Sequence, residues 1–256
     1  MTLVQFGSVQ FDADLVVFDK DGTLIEFERM WGRLALAWVD KLTADLGETT
    51  DGDLAQEFHR SWGFDPQERR TAPQSPLAIA STAQFQTIAA NVLYRHGVPW
   101  PEAEDRTRSV FRKVAADLPL ADLVRPAGDV AGLLRQLQEA GVRVAVVTTD
   151  HRAETEQTLH ILTIDHLVDH LVCSDDGLPS KPAPDMLLST CEHLGADPAR
   201  AAVVGDTLAD LLMSKRAGAG LSVAVRTGAG DPALLATHAT VVIDSIDDIF
   251  VPPKRV

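Results

Sequence analysis

Long apolar runs are missing from this chain. No uninterrupted stretch approaches the ~20 residues that a bilayer-spanning helix needs, although 45% of its 256 residues are hydrophobic. A helical membrane protein is therefore not expected, and a sizeable buried core is. Basic charge is scarce as well: 23 Lys and Arg stand against 37 Asp and Glu, for a formal net charge of −14. Nucleic acid is not an expected partner, because no basic field exists to displace its counterions. An anionic small substrate would need local compensation from a metal, a lysine or backbone N–H groups. Cysteine is rarer still. Cys173 and Cys191 sit in no Cys-x-x-Cys pair and no His-rich setting, which excludes a disulfide framework and implies buried thiols in a reducing compartment. Met1 to Asp14 lacks a basic region followed by an apolar core, so the expectation is a cytoplasmic protein without a secretory signal. Internal repeats and low-complexity tracts are also absent.

What is present is a set of short apolar runs with helical patterns between them. The runs are Leu15–Phe18, Val142–Val147, a weaker one over Leu167–Val168 and Leu171–Cys173, then Ala201–Val204, Ser222–Val225 and Thr240–Ile243. Near-continuous β-branched runs suit strands buried on both faces, as in parallel sheets. Between them, Val130, Leu133, Leu134 and Leu137 share one face of a helix over Asp129 to Ala140, with Gly141 placed to end it. Asp150 is placed to cap a helix running to about Leu162, and Asp206 to Ala217 reads as another helix. This alternation predicts a doubly wound α/β fold with a parallel sheet. Residues 28–120 differ. Trp31, Leu34, Trp38, Leu42 and Leu46 recur at helical spacing, as do Phe85, Ile88 and Val92, while residues 62–76 read as a polar, Pro-rich loop. The predicted division is an α/β core over 1–27 and 121–256, with an inserted α-helical domain over 28–120.

Four chemically loaded stretches follow strand ends or loops, where open α/β sheets collect ligands. They are Asp19-Lys20-Asp21-Gly22-Thr23-Leu24, Thr148-Thr149-Asp150, Ser180-Lys181-Pro182-Ala183-Pro184, and Gly205-Asp206-Thr207 with Asp210 one helical turn on. Singly, each has a plain structural alternative: Asp-x-Asp-Gly is a common turn composition, and Asp206 could cap a helix. Jointly they place carboxylates, a hydroxyl and a lysine in one order.

That order resembles the haloacid dehalogenase superfamily from Leu15 to about Val225. The family's Asp-x-Asp-Gly-Thr matches Asp19 to Thr23, its strand-ending hydroxyl matches Thr148, its lysine before Pro-x-Pro matches Lys181, and its Gly-Asp-x-x-x-Asp matches Gly205, Asp206 and Asp210. Thr149 departs from the Asn that many relatives carry after the hydroxyl. A helical insert between the first two motifs marks the subgroup that includes phosphoglycolate phosphatase, in which the insert is a mobile cap.

The resemblance implies a Mg²⁺-dependent phosphatase of small phosphorylated metabolites, with phosphoglycolate as first guess. Asp19 would be the nucleophile, splitting one hard displacement into two. Asp21 would give the leaving oxygen a proton and later take one from water. Thr148 and Lys181 would cradle the phosphoryl group, with backbone N–H groups around Asp21, Gly22 and Thr149. The family pattern assigns Mg²⁺ to the Asp19 carboxylate, the Asp21 backbone carbonyl and Asp206, with Asp210 either a ligand or behind the ligands. If extended geometry persists past Asp19, side chains at i and i+2 point the same way and Lys20 faces away as a structural residue. Phe27, Trp31, Arg69 and Arg70 are candidates for substrate contact, against plainer roles in packing or solvation. The alternatives are a phosphomutase on the same scaffold and a non-catalytic binding domain. A dehalogenase fits less well, because Asp21 belongs to phosphoryl transfer.

Overall fold

The structure is a computed structural model that describes residues 2–44 and 53–253; Leu46, placed above on a helical face, lies outside the described residues. The chain forms two compact units, one of Met1–Phe27 with Val124–Val256 and one of Glu28–Leu123. The strands, in chain order, are β1 (Leu3–Phe6), β2 (Val9–Asp12), β3 (Leu15–Phe18), β4 (Phe64–Asp65), β5 (Arg70–Thr71), β6 (Arg143–Val147), β7 (His170–Val172), β8 (Ala201–Gly205), β9 (Leu221–Val225), β10 (Val241–Ile243) and β11 (Ile249–Phe250).

The first unit is built on a six-stranded sheet in the order β10-β9-β8-β3-β6-β7, with every neighbouring pair parallel. Its strands read as unbroken apolar runs because both faces are covered. Val16, Phe18, Val144, Val146 and Val204 face a core shared with Val130, Leu133, Leu134 and Leu137. Their alternates Leu15, Val17, Ala145, Val147 and Val203 face a second core with Met186, Leu187, Cys191 and Met213. The expected doubly wound α/β architecture is thus present. Both cysteines are buried free thiols, and burial pushes each thiol up to about 11, which leaves them inert.

Local signals explain several helix boundaries. Asp129 caps Val130–Glu139 by accepting the Gly132 N–H. Thr207 caps Leu208–Ala217 and forms a reciprocal capping box with Asp210. Asp206 is therefore not the cap, and its carboxylate is left for other use. Asp150 is not a cap either: the helix is Arg152–Ile161, and His151 precedes it without a side-chain cap. The chain also carries a sheet not anticipated above. β1 and β2 form a hairpin, and β11 joins it antiparallel in the order β11-β1-β2. Four-residue strands with only Val4 and Phe6 fully buried leave little periodic signal to read.

The second unit is helical, with Arg33–Ala44, Asp53–Trp62, Thr82–Arg95 and Trp100–Asp117 as its longer helices. Its centre is aromatic. Trp38 stacks on Phe111 at 4.3 Å and 8°, and Trp62 lies 4.4 Å from Phe85. Trp31 joins this cluster, 6.4 Å from Trp38. The stretch expected to be a loop contains a small hairpin, β4 with β5. Asp65 turns it by accepting the N–H groups of Gln67 and Glu68, and the Glu28 carboxylate pins its far strand through the Thr71 N–H and hydroxyl. Strands of two residues are too short to show period-2 patterning.

Candidate active site

Strand order and register assemble the site. β3 lies between β6 and β8, and Phe18 pairs with Val146 on one side and Val204 on the other. Three adjacent carboxyl ends therefore deliver Asp19, Thr148 and Asp206 at nearly one level. Lys181 arrives from the loop before the helix Asp185–Leu194. Its ammonium donates to Asp19 Oδ1 at 2.6 Å and to Asp210 Oδ1 at 2.7 Å, with its side chain 3% exposed. Asp210 is held from behind, since its Oδ2 accepts the Thr207 hydroxyl at 2.5 Å and the Thr207 N–H at 3.1 Å.

One lysine does not neutralise this cluster. Carboxylate oxygens of Asp19, Asp206 and Asp210 lie within 4.8 Å of one another. Burial pushes the Asp19 carboxyl up to about 7; Lys181 opposes that shift, and Asp210 and Asp21 add to it. Burial, followed by repulsion from Asp19 and Asp210, holds Asp206 well above the usual carboxylate range. Asp206 Oδ2 accepts the Ala229 N–H at 2.9 Å. Its Oδ1 is buried with no hydrogen-bond partner, an arrangement that is costly unless something positive faces it. A hard divalent cation with oxygen ligands fits this donor set. Asp19 and Asp206 are the better placed to hold one, because both Asp210 oxygens are already engaged.

Asp21 and Thr148 complete the group along the other arm. Thr148 is buried, and its Oγ1 accepts the Asp150 N–H at 3.1 Å, which leaves its hydroxyl proton for a ligand. Thr149, beside it, is exposed. Lys20 does not face away. The strand ends at Phe18 and the chain turns, so i, i+2 alternation stops applying. The Lys20 ammonium lies 2.7 Å from Asp21 Oδ2 and 2.8 Å from Asp150 Oδ2. Burial alone would favour neutral Lys20, but Asp150 and then Asp21 hold its charge. Gly22 makes the turn at φ +84°, and a Cβ there would lie 2.7 Å from Asp206 Oδ2, so backbone conformation and space both demand glycine.

Sequence reasoning missed two parts of the site. One is the Lys20–Asp150 pair. The other is the loop after β9, Thr227 to Gly230. There Thr227 donates to the Gly22 carbonyl at 2.6 Å, Ala229 binds Asp206, and Gly228 packs so close that a Cβ would fall 1.9 Å from Asp206 Oδ2. The only trace in the sequence is a pair of glycines just past a strand end. Of the candidate substrate contacts, Phe27 is buried and Trp31 belongs to the aromatic cluster of the helical unit. Arg69 and Arg70 are exposed on the small hairpin, where Arg70 lines an open cavity of about 890 Å³ with His59 and Arg60.

A model of haloacid dehalogenase-like hydrolases matches residues 13–218. The chain belongs to that family. As a haloacid dehalogenase-like hydrolase it is similar to the "Phosphoglycolate phosphatase, plasmid" of Cupriavidus necator, at 29% identity over 94% of this chain and 93% of that one. It is 34% identical to the phosphoglycolate phosphatase of Aquifex aeolicus over 45% of this chain, an alignment spanning 54% of that relative's length. A crystal structure of a "predicted phosphoglycolate phosphatase" from Haemophilus somnus superposes with a TM-score of 0.70 at 19% identity, covering 93% of this chain and 96% of that one, a likeness of fold. The chain is thus a hydrolase of this family, and the relatives just named are phosphatases. Among the described residues, no helix is long and apolar enough to cross a membrane.

Proposed function

We propose that this hydrolase is a Mg²⁺-dependent phosphatase of a small cytoplasmic phosphomonoester, acting through an aspartyl-phosphate on Asp19, with phosphoglycolate the first substrate to try. One observation carries the reading. Asp19 is held by Lys181 beside a buried, orphaned Asp206 oxygen, where an attacking carboxylate and a cation would share a site. In the first step an Asp19 oxygen attacks phosphorus, and the P–O bond to the substrate alcohol breaks. Asp21 gives that leaving oxygen a proton. In the second step water attacks the same phosphorus, Asp21 takes its proton, and Asp19 is released with inorganic phosphate. Lys181 and the Thr148 hydroxyl hold the phosphoryl oxygens, whose charge is spread in a loose transition state, so positioning and electrostatics supply most of the catalysis. Asp210, fixed by Thr207, aims Lys181. Asp19, Asp206 and the Asp21 carbonyl would hold Mg²⁺. When bound, the ion offsets the carboxylate charge and so favours the ionised, nucleophilic form of Asp19. The helical unit Glu28–Leu123 is the cap in this reading and the place where substrate choice is made.

The test is phosphate release by the purified protein across a panel of phosphomonoesters, with Mg²⁺ and with chelator, alongside Asp19→Asn. Mg²⁺-dependent release that vanishes in the variant is expected. Turnover retained by Asp19→Asn would reject covalent catalysis at that residue. Release that requires a sugar-bisphosphate primer would move the assignment to a mutase.

A further inference from the structure

Lys20 is sealed in the protein, 1% exposed, between two acids that come from different strand ends. Asp21 follows β3. Asp150 follows β6 and belongs to the turn that presents Thr148, since its N–H donates to the Thr148 hydroxyl oxygen. Both loops are anchored by their backbones. Lys20's own carbonyl accepts from the N–H groups of Leu24 and Ile25, and the Asp150 carbonyl accepts the Ser174 N–H at 2.9 Å. One ammonium thus links the acid of the first loop to the hydroxyl-bearing turn of the second.

Such a link is a poor device for stability alone, because buried ion pairs are often replaceable by apolar packing without loss. It is a good device for aim. A short carboxylate can rotate about two bonds, and Asp21 must face the ester oxygen in one step and the attacking water in the next. We propose that Lys20 is a positioning residue, clamping Asp21 to Asp150 so that the proton-transferring carboxyl and the Thr148 hydroxyl keep one geometry. The inference rests on the assignment of Asp21 as the proton-transferring group.

The experiment separates the two half-reactions. A nitrophenyl phosphate releases its leaving group without needing a proton, whereas hydrolysis of the phosphoenzyme still needs Asp21 as base. An alkyl phosphate needs Asp21 in both. In rapid-mixing assays with saturating Mg²⁺, Asp21→Asn should show a stoichiometric burst of nitrophenolate followed by very slow turnover. Lys20→Met should show the same signature in weaker form, with kcat on an alkyl phosphate down about 100-fold for a misaimed group and KM unchanged. Because Lys20→Met leaves two acids without their cation, the double variant Lys20→Met/Asp150→Asn, which removes one charge of each sign, guards against loss of folding and should burst likewise. Asp150→Asn alone should give a smaller loss of the same kind. If Asp21→Asn bursts but the Lys20 variants lose both steps equally, or lose nothing, the inference is overturned and the catalytic reading stands. Failure of the double variant to fold, checked by circular dichroism, would make the pair a folding requirement and also overturn it. Absence of a burst in Asp21→Asn would overturn both.

Discussion

All four tryptophans, the one tyrosine and four of the nine phenylalanines lie between Glu28 and Leu123, whereas Asp19, Asp21, Thr148, Lys181, Asp206 and Asp210 all lie outside that span. The sheet unit is packed from Val, Leu and Ala on two faces of a parallel sheet and spends its polar side chains on one cluster of loops. The helical unit fills its centre with packed aromatic rings and holds none of the clustered acids. The contrast teaches that chemistry and packing are specified by different means here. A parallel sheet fixes where strand ends fall, so it can place groups from distant parts of the chain within hydrogen-bond reach. A helical bundle built on large aromatic rings gains apolar burial per residue and imposes no such convergence.

That contrast can be broken by substitution. Asp19→Asn should lower kcat by about 10⁴-fold or more. Its tryptophan fluorescence and its unfolding followed by that signal should match the wild type, because every tryptophan lies in the other unit. A changed emission spectrum would show that the two are not separable. Trp38→Ala should cost about 3–5 kcal/mol by emptying the stack on Phe111. Denaturant titration followed by the remaining tryptophans would measure it, and a loss below 1 kcal/mol would deny the aromatic cluster its role. Mg²⁺ at ~100 times its dissociation constant should stabilise the wild type by about 2.7 kcal/mol through mass action. Asp206→Asn should respond little, and an equal response would move the cation elsewhere.

The smallest effect concerns the edge of the sheet unit, where Arg200 bridges Asp12 and Asp14. Hydrogen bonding to that guanidinium holds both carboxyls below their usual range. A depressed carboxylate contributes stability that is complete above its unfolded value and lost as pH falls. Arg200→Ala should therefore melt slightly below the wild type at pH 7, and the gap should close as the pH falls below the ordinary carboxylate range. The gap should narrow in high salt, because these groups are solvent-accessible. A gap that widened on acidification would contradict the direction of those shifts.

Much of the site was legible because its residues are tied to strand ends. The runs Leu15–Phe18, Val142–Val147 and Ala201–Val204 announce the strands, and Asp19, Thr148 and Asp206 follow two of them at once and the third after Gly205. Lys181 was legible only through its motif, since nothing local tells a lysine that it will meet an aspartate 162 positions away. Lys20 was misplaced because alternation was carried past the strand end at Phe18, through Asp19 to Asp21. Asp150 was taken for a helix cap because a cap is the local use of an Asp at that position, and the Lys20 ammonium is a tertiary partner. The Thr227–Gly230 loop left no signal beyond its glycines.

By itself, the sequence determined the alternation of strands and helices, the helical insert and the order of the reactive groups, because short-range patterns of burial and capping write those directly into the chain. Only the tertiary structure decided that β3 sits between β6 and β8, that Asp206 keeps an oxygen without a partner, and that Lys20 turns inward between two acids. Those depend on strand order, on desolvation and on which charges meet, and each is a sum over neighbours remote in sequence.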